Sequence, residues 1–167
     1  ECIEKARTSV KRAHFGIGSG EHLAFKNKSF DLVFFTFSLH HQESKLALQE
    51  AHRVLEPNGQ VIIIEPVSDS EAQHLWDLFE DETQVLENAL NAVEASNFLV
   101  EHKDIFFASA IFENKEELYN CFFDWHNLES DERMIKKMNN LLGEKMHIQP
   151  VNLEEKLLLF SLRKKEE

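Results

Sequence analysis

A chain of 167 residues, 43% hydrophobic and 29% charged, can bury one core and is too short for two full domains. Thirty acidic residues against eighteen Lys and Arg leave a net charge of −12, which excludes a broadly basic nucleic-acid surface; the cationic cluster Arg163-Lys164-Lys165 runs directly into Glu166-Glu167 and reads as a solvated tail end. No apolar run approaches the roughly 20 residues of a membrane span, and Cys2 and Cys121 form neither a disulfide framework nor a Cys/His metal pattern, so a cytoplasmic protein of one domain over 1–167 is expected.

Glu4 to Lys11 reads as the end of a helix, and Arg12 to Ile17 as a short strand running into the polar turn Gly18-Ser19-Gly20-Glu21. Phe30 to Ser38 is a nearly unbroken aromatic and β-branched run, which predicts a strand buried on both faces, as in a parallel sheet covered by helices. Ala47, Leu48, Ala51, Val54 and Leu55 recur at helical spacing, giving a helix that stops before Pro57-Asn58-Gly59. Gln60 to Glu65 is then a second strand. Strand, helix and strand in this order form a βαβ crossover, and two parallel neighbours follow from it.

Segments 68–97 and 115–143 are helical in pattern. Ser68-Asp69-Ser70-Glu71 can form a capping box with Ser68 as the cap, and Leu75, Phe79, Leu86, Ala89, Leu90 and Val93 supply an apolar face. Phe98 to Phe112 reads as a strand between these segments. Helices are expected from Lys115 to Asn127 and from Asp131 to Leu142, and Lys156 to Leu162 suits a last strand. The fold class is α/β.

The series Glu21-His22-Leu23-Ala24-Phe25, Ser29-Phe30-Asp31, Leu39-His40-His41, Arg53-Val54-Leu55 and Pro57-Asn58-Gly59 resembles, in order and spacing, the class I S-adenosylmethionine-dependent methyltransferases, and among them the type 11 small-molecule group. The resemblance is dense over about a third of the chain. It implies a Rossmann-like sheet, mostly parallel with an antiparallel last strand, with the cofactor S-adenosylmethionine at the carboxyl ends of the strands. By that layout 12–17 is the third strand, 30–37 the fourth, 60–64 the fifth, the segment after Phe98 the sixth and 156–162 the seventh. The first two strands and their glycine-rich loop are lacking. The edge of Leu32 to Phe37, which the first strand would cover, should therefore lie open, and either self-association or missing N-terminal residues should complete it.

The resemblance places Ser19, Gly20 and Glu21 beside the adenine, with Ser19 where the family usually has an aspartate; a plain flexible turn is the other reading of this segment. It places Thr36, Phe37 and Leu39 against the adenine and the sulfonium, although Phe37 and Leu39 also suit ordinary core. His40 and His41 are the candidate catalytic pair, as a general base for a small-molecule methyl acceptor, or else as structural histidines at a strand end. Glu65 either orients an amine acceptor or caps the following helix.

The nine histidines show no H-E-x-x-H or similar spacing, so no metal is expected, and Glu80-Asp81-Glu82 reads as solvated. Phe106, Phe107, Phe112, Phe122, Phe123 and Trp125 suit either a greasy acceptor pocket or core packing. Two rivals to an active enzyme stand beside it: a methyltransferase-like scaffold or partner-binding subunit without cofactor, and another nucleotide-binding α/β enzyme.

Overall fold

The computed structural model describes residues 2–165. Helix α1 (Cys2–Ser9) is followed by β1 (Phe30–Thr36), α2 (Ser44–Val54), β2 (Leu55–Pro66), α3 (Glu71–Trp76), α4 (Thr83–Glu94), β3 (Phe98–Phe112), α5 (Lys115–Trp125), α6 (Glu132–Leu142), a 3-10 turn (Gly143–His147) and β4 (Val151–Lys164). The four strands form one sheet in the order β1-β2-β4-β3. β1 pairs parallel with β2, while β4 is antiparallel to both β2 and β3. Three strands therefore run one way and the last runs against them, and the βαβ unit and the reversed final strand both match expectation.

The core follows the sequence periods. Ala47, Leu48 and Ala51 of α2 and Ala89 and Val93 of α4 pack on Phe35, Val61, Ile63, Phe160 and Leu162 of the sheet. A second cluster joins Leu75 of α3, Leu118 and Phe122 of α5, and Met138 and Leu142 of α6 to Val151 and Leu153 of β4. Because β4 begins at Val151 and β3 ends at Phe112, this cluster lies toward the carboxyl end of β3. Burial of this apolar area, at about 25 cal/mol per Å², is what orders the helices.

Several expectations are corrected. Arg12 to Ile17 is not a strand; it is irregular, tied to α1 by Arg7 Nη2 donating to the Phe15 carbonyl at 2.8 Å. A strand needs a neighbour to satisfy its peptide groups, and none lies beside this segment among the described residues. Among the described residues β1 is covered on one face only: Phe35 is buried, but Leu32 is 41% and Phe34 61% exposed, and β1 is an edge strand. The aromatic run marks strand propensity correctly, and its edge position in the sheet leaves half of it uncovered.

The cap of α3 is Ser70, whose hydroxyl accepts from Gln73 N at 3.1 Å, rather than Ser68. Glu71 instead takes Lys145 Nζ at 2.7 Å and the Glu154 amide at 3.1 Å, tying α3 to the start of β4. Two of the three C-terminal cations are not a solvated tail either, although Lys165 is exposed. Arg163 pairs with Glu101, and Lys164 is buried, its Nζ donating to the carbonyls of His52 at 2.7 Å and Leu55 at 2.8 Å. That places a positive charge at the carboxyl end of α2, where the helix dipole favours one.

Pro57-Asn58-Gly59 lies within β2 as a bulge: Phe30 pairs with Leu55 but Leu32 already pairs with Gln60. Asn58 adopts the left-handed conformation at φ 63°, and a Cβ at buried Gly59 would come within 3.0 Å of the Glu56 carbonyl oxygen. The motif is thus a backbone requirement.

Candidate active site

The carboxyl ends of β1 and β2 form a rim. Phe37 N donates to the Ile64 carbonyl at 2.9 Å, the last rung of the parallel ladder, and Phe37 then turns left-handed at φ 49°. A bulky residue in that region costs about 1–2 kcal/mol, so the surrounding structure must enforce it. What enforces it is Glu65. Its carboxylate is 1% exposed and accepts from Ser38 N at 3.2 Å, Leu39 N at 2.8 Å and His40 Nδ1. Glu65 therefore neither caps the next helix nor faces an acceptor; it holds the turn that follows β1.

A carboxylate can only accept, so Nδ1 of His40 carries a proton and the ring turns Nε2 away from Glu65. His40 is 5% exposed, and its Nε2 lies 3.7 Å from Glu82 Oε1. His41 lies tilted beside it with ring centroids 3.9 Å apart, has a side chain 60% exposed, and brings Nδ1 to 3.8 Å from the same Glu82 oxygen. The other Glu82 oxygen accepts from Nε2 of buried Gln73 at 3.2 Å. Glu82 is thus turned inward, against the reading of Glu80 to Glu82 as a solvated stretch. No spacing rule finds this triad, since Glu82 comes from the start of α4, some forty residues away; a polar residue just before an apolar helical period was the signal available.

Three cavities meet here. One of 570 Å³ is lined by Gly18, Ser19, Gly20, Glu21, Val33, Phe34 and His41, among others. A second of 630 Å³ includes Glu21, His40, His41 and Glu82. A third of 710 Å³ includes Thr36, Phe37, His40, His41, Trp76, Trp125 and Glu155. Burial holds the Glu155 carboxyl above its ordinary range. His126 also lines the third cavity, stacked on Phe79 at 4.8 Å, and its buried Nε2 has no partner among the described residues. Phe122 and Phe123 are core, Trp125 is exposed on the cavity wall, and Phe106 and Phe107 are exposed on β3 away from it, so core packing explains only part of the aromatic cluster.

The structure separates the other candidates. Thr36 and Phe37 are exposed on the rim, whereas Leu39 is fully buried in the core and its amide is taken by Glu65. Ser19 Oγ accepts from Glu21 N at 3.2 Å, closing the turn, and a Glu21 carboxylate oxygen accepts from Glu43 N at 2.7 Å at the start of α2. A Cβ at Gly20 would meet the Gln42 side chain at 2.1 Å, so this turn sits close against the segment after the histidines.

The segment from Leu23 to Asn27 is held by an ion pair within α2. Arg53 donates to the carbonyls of Leu23 at 2.9 Å and Phe25 at 2.8 Å, and to Asn27 Oδ1 at 2.8 Å. Glu50, bound to Arg53 Nε at 2.7 Å, accepts from Leu23 N at 2.7 Å. The Arg53 guanidinium, with the Leu23 amide, holds the Glu50 carboxyl down from 4.5 to about 2.

Residues 1–63 match a family model described as a methyltransferase domain. The match covers the part of the chain from α1 into β2, and the fold is a Rossmann-like α/β sheet. The demethylmenaquinone methyltransferase of Streptomyces griseus is 42% identical over 52 residues, which are 30% of this chain and 23% of that protein, so the chain spans under a quarter of this relative's length. Among solved structures, the YcgJ protein of Bacillus subtilis aligns with a TM-score of 0.65 and 18% identity, over 98% of this chain and 76% of that one. A SAM-dependent methyltransferase of Thermotoga maritima aligns at 0.53 with 16% identity, over 98% and 69%. At these identities the likeness is one of fold.

S-adenosylmethionine is the cofactor that the match to a methyltransferase domain implies. The residues present fit its nucleoside part: the 570 Å³ cavity has a polar turn on one side and Val33, Phe34 and Phe35 on the other. No Lys or Arg lines that cavity among the described residues, so a partner for the cofactor's carboxylate is not supplied there. No helix among the described residues is long and apolar enough to cross a membrane.

Proposed function

We propose that the chain supports methyl transfer from S-adenosylmethionine to a small-molecule acceptor in the cytoplasm, with the acceptor approaching over the rim from Thr36 to His41 and from Glu65 to Val67. The observation that carries this reading is that His41 lines all three cavities, so the turn at Ser19 and the aromatic wall at Trp76 and Trp125 communicate at one residue. When bound, the cofactor supplies an electrophilic methyl group on a sulfonium.

The protein's share of such a reaction is to align donor and acceptor and to keep water away. Phe37, Trp76 and Trp125 supply apolar walls, while His40 and His41 present ring nitrogens toward the polar group of an acceptor. We propose further that the open edge of β1 is covered in the working protein by another strand, from the N-terminal side or from a second copy.

Calorimetry with S-adenosylmethionine and S-adenosylhomocysteine tests the reading. Saturable binding of both, weakened by Gly20→Phe in the cavity wall, is expected. Absence of binding by either overturns it and leaves the scaffold reading.

A further inference from the structure

We infer that His40 Nε2, His41 Nδ1 and Glu82 Oε1 form a binding site for a zinc-class divalent transition ion, open on one side to the aromatic-walled cavity. The site shares the rim proposed for methyl transfer, but neither its argument nor its test needs that activity. The three groups lie within 4.8 Å of one another, and both histidine nitrogens are 3.7–3.8 Å from the Glu82 oxygen. That is beyond hydrogen-bonding distance, yet close to the roughly 3.3–3.4 Å between ligands of a tetrahedral ion with bonds of about 2.0–2.1 Å. A shift of about half an ångström, within side-chain reach, would bring the Glu82 oxygen to ligand spacing from either histidine nitrogen.

The outer atoms of two of the three ligands are already tied. Glu65 takes Nδ1 of His40, which fixes the tautomer that leaves Nε2 free, and Gln73 takes Oε2 of Glu82, which leaves Oε1 facing the histidines. A carboxylate behind a ligating histidine is the usual outer arrangement of metal sites and raises the basicity of the ring. Both supports are themselves buried, Glu65 at 1% and Gln73 at 2% exposure, so the geometry is built rather than a chance meeting of surface chains. Two imidazoles and one carboxylate favour zinc and its neighbours over magnesium or calcium, which prefer oxygen alone. Three protein ligands leave a fourth position, and both His40 and His41 line the 710 Å³ cavity, so that position can take water or a further ligand.

The test is titration of the protein with Co²⁺, read by its visible absorption, followed by displacement with Zn²⁺. One equivalent with a tetrahedral-type spectrum is expected. Glu82→Gln and His41→Ala should each remove the spectrum, and Gln73→Leu should weaken affinity roughly tenfold or more, the usual effect of losing an outer-shell support. Because the His41 side chain is 60% exposed, His41→Ala should keep the fold, and thermal melts of all three variants check this. A folded His41→Ala or Glu82→Gln protein that retains the spectrum, or a wild-type protein that shows none, overturns the inference.

Discussion

Glu65 and His40 belong to neighbouring segments at the sheet rim, and the Glu65 carboxylate serves the His40 ring and two backbone amides at once. One buried acid therefore fixes both the path of the chain after β1 and the direction in which the histidine offers its free nitrogen.

Glu65→Ala should lower stability by about 2–4 kcal/mol, since it strands the amides of Ser38 and Leu39 and the Nδ1–H of His40 in a buried site. Urea unfolding of the variant measures this. A loss below about 1 kcal/mol would mean that water replaces the carboxylate and that the turn is not held as described.

The Glu50–Arg53 pair should make stability depend on acid. The folded carboxyl at about 2 lies below its ordinary value of 4.5, so its contribution is present above about pH 4.5 and is lost as pH falls toward 2. Arg53→Ala should flatten that part of the pH–stability curve and loosen the Leu23–Asn27 segment. Denaturation from pH 6 to 2 and hydrogen exchange at Leu23 check the two effects.

Lys164→Met should cost about 2 kcal/mol, because it removes two charge-assisted bonds to the carbonyls of His52 and Leu55 at the end of α2. Lys165→Met, one residue on and exposed, should change stability by less than about 0.5 kcal/mol. Thermal unfolding of the two variants side by side gives the contrast.

The open edge at β1 should make the chain associate as its concentration rises, and Phe34→Glu should shift it toward the monomer. Sedimentation velocity over a concentration series reads this directly. Equal behaviour of the two proteins would show that the edge does not mediate contacts.

The local elements were legible in the residues because each period decides which side of a segment is apolar. Ala47, Leu48, Ala51 and Val54 at helical spacing, and Val61, Ile63 and Ile64 between turn residues, leave little freedom over helix or strand, and their order dictates a parallel crossover. The position of His40-His41 after the strand was equally plain. What a sequence cannot carry is pairing across distance. Whether 12–17 becomes a strand depends on a neighbour; whether Phe34 is covered depends on the same thing; and whether Glu82 faces water or the histidines depends on where the start of α4 lands against the rim.

Sequence alone therefore determined the fold class and the strand–helix–strand order from Phe30 to Pro66, since these follow from short-range steric and apolar patterns. Tertiary structure alone decided the partners of Glu65, Lys164 and Glu82, because a buried charge must find its counter-groups wherever packing brings them, at separations that no local spacing encodes.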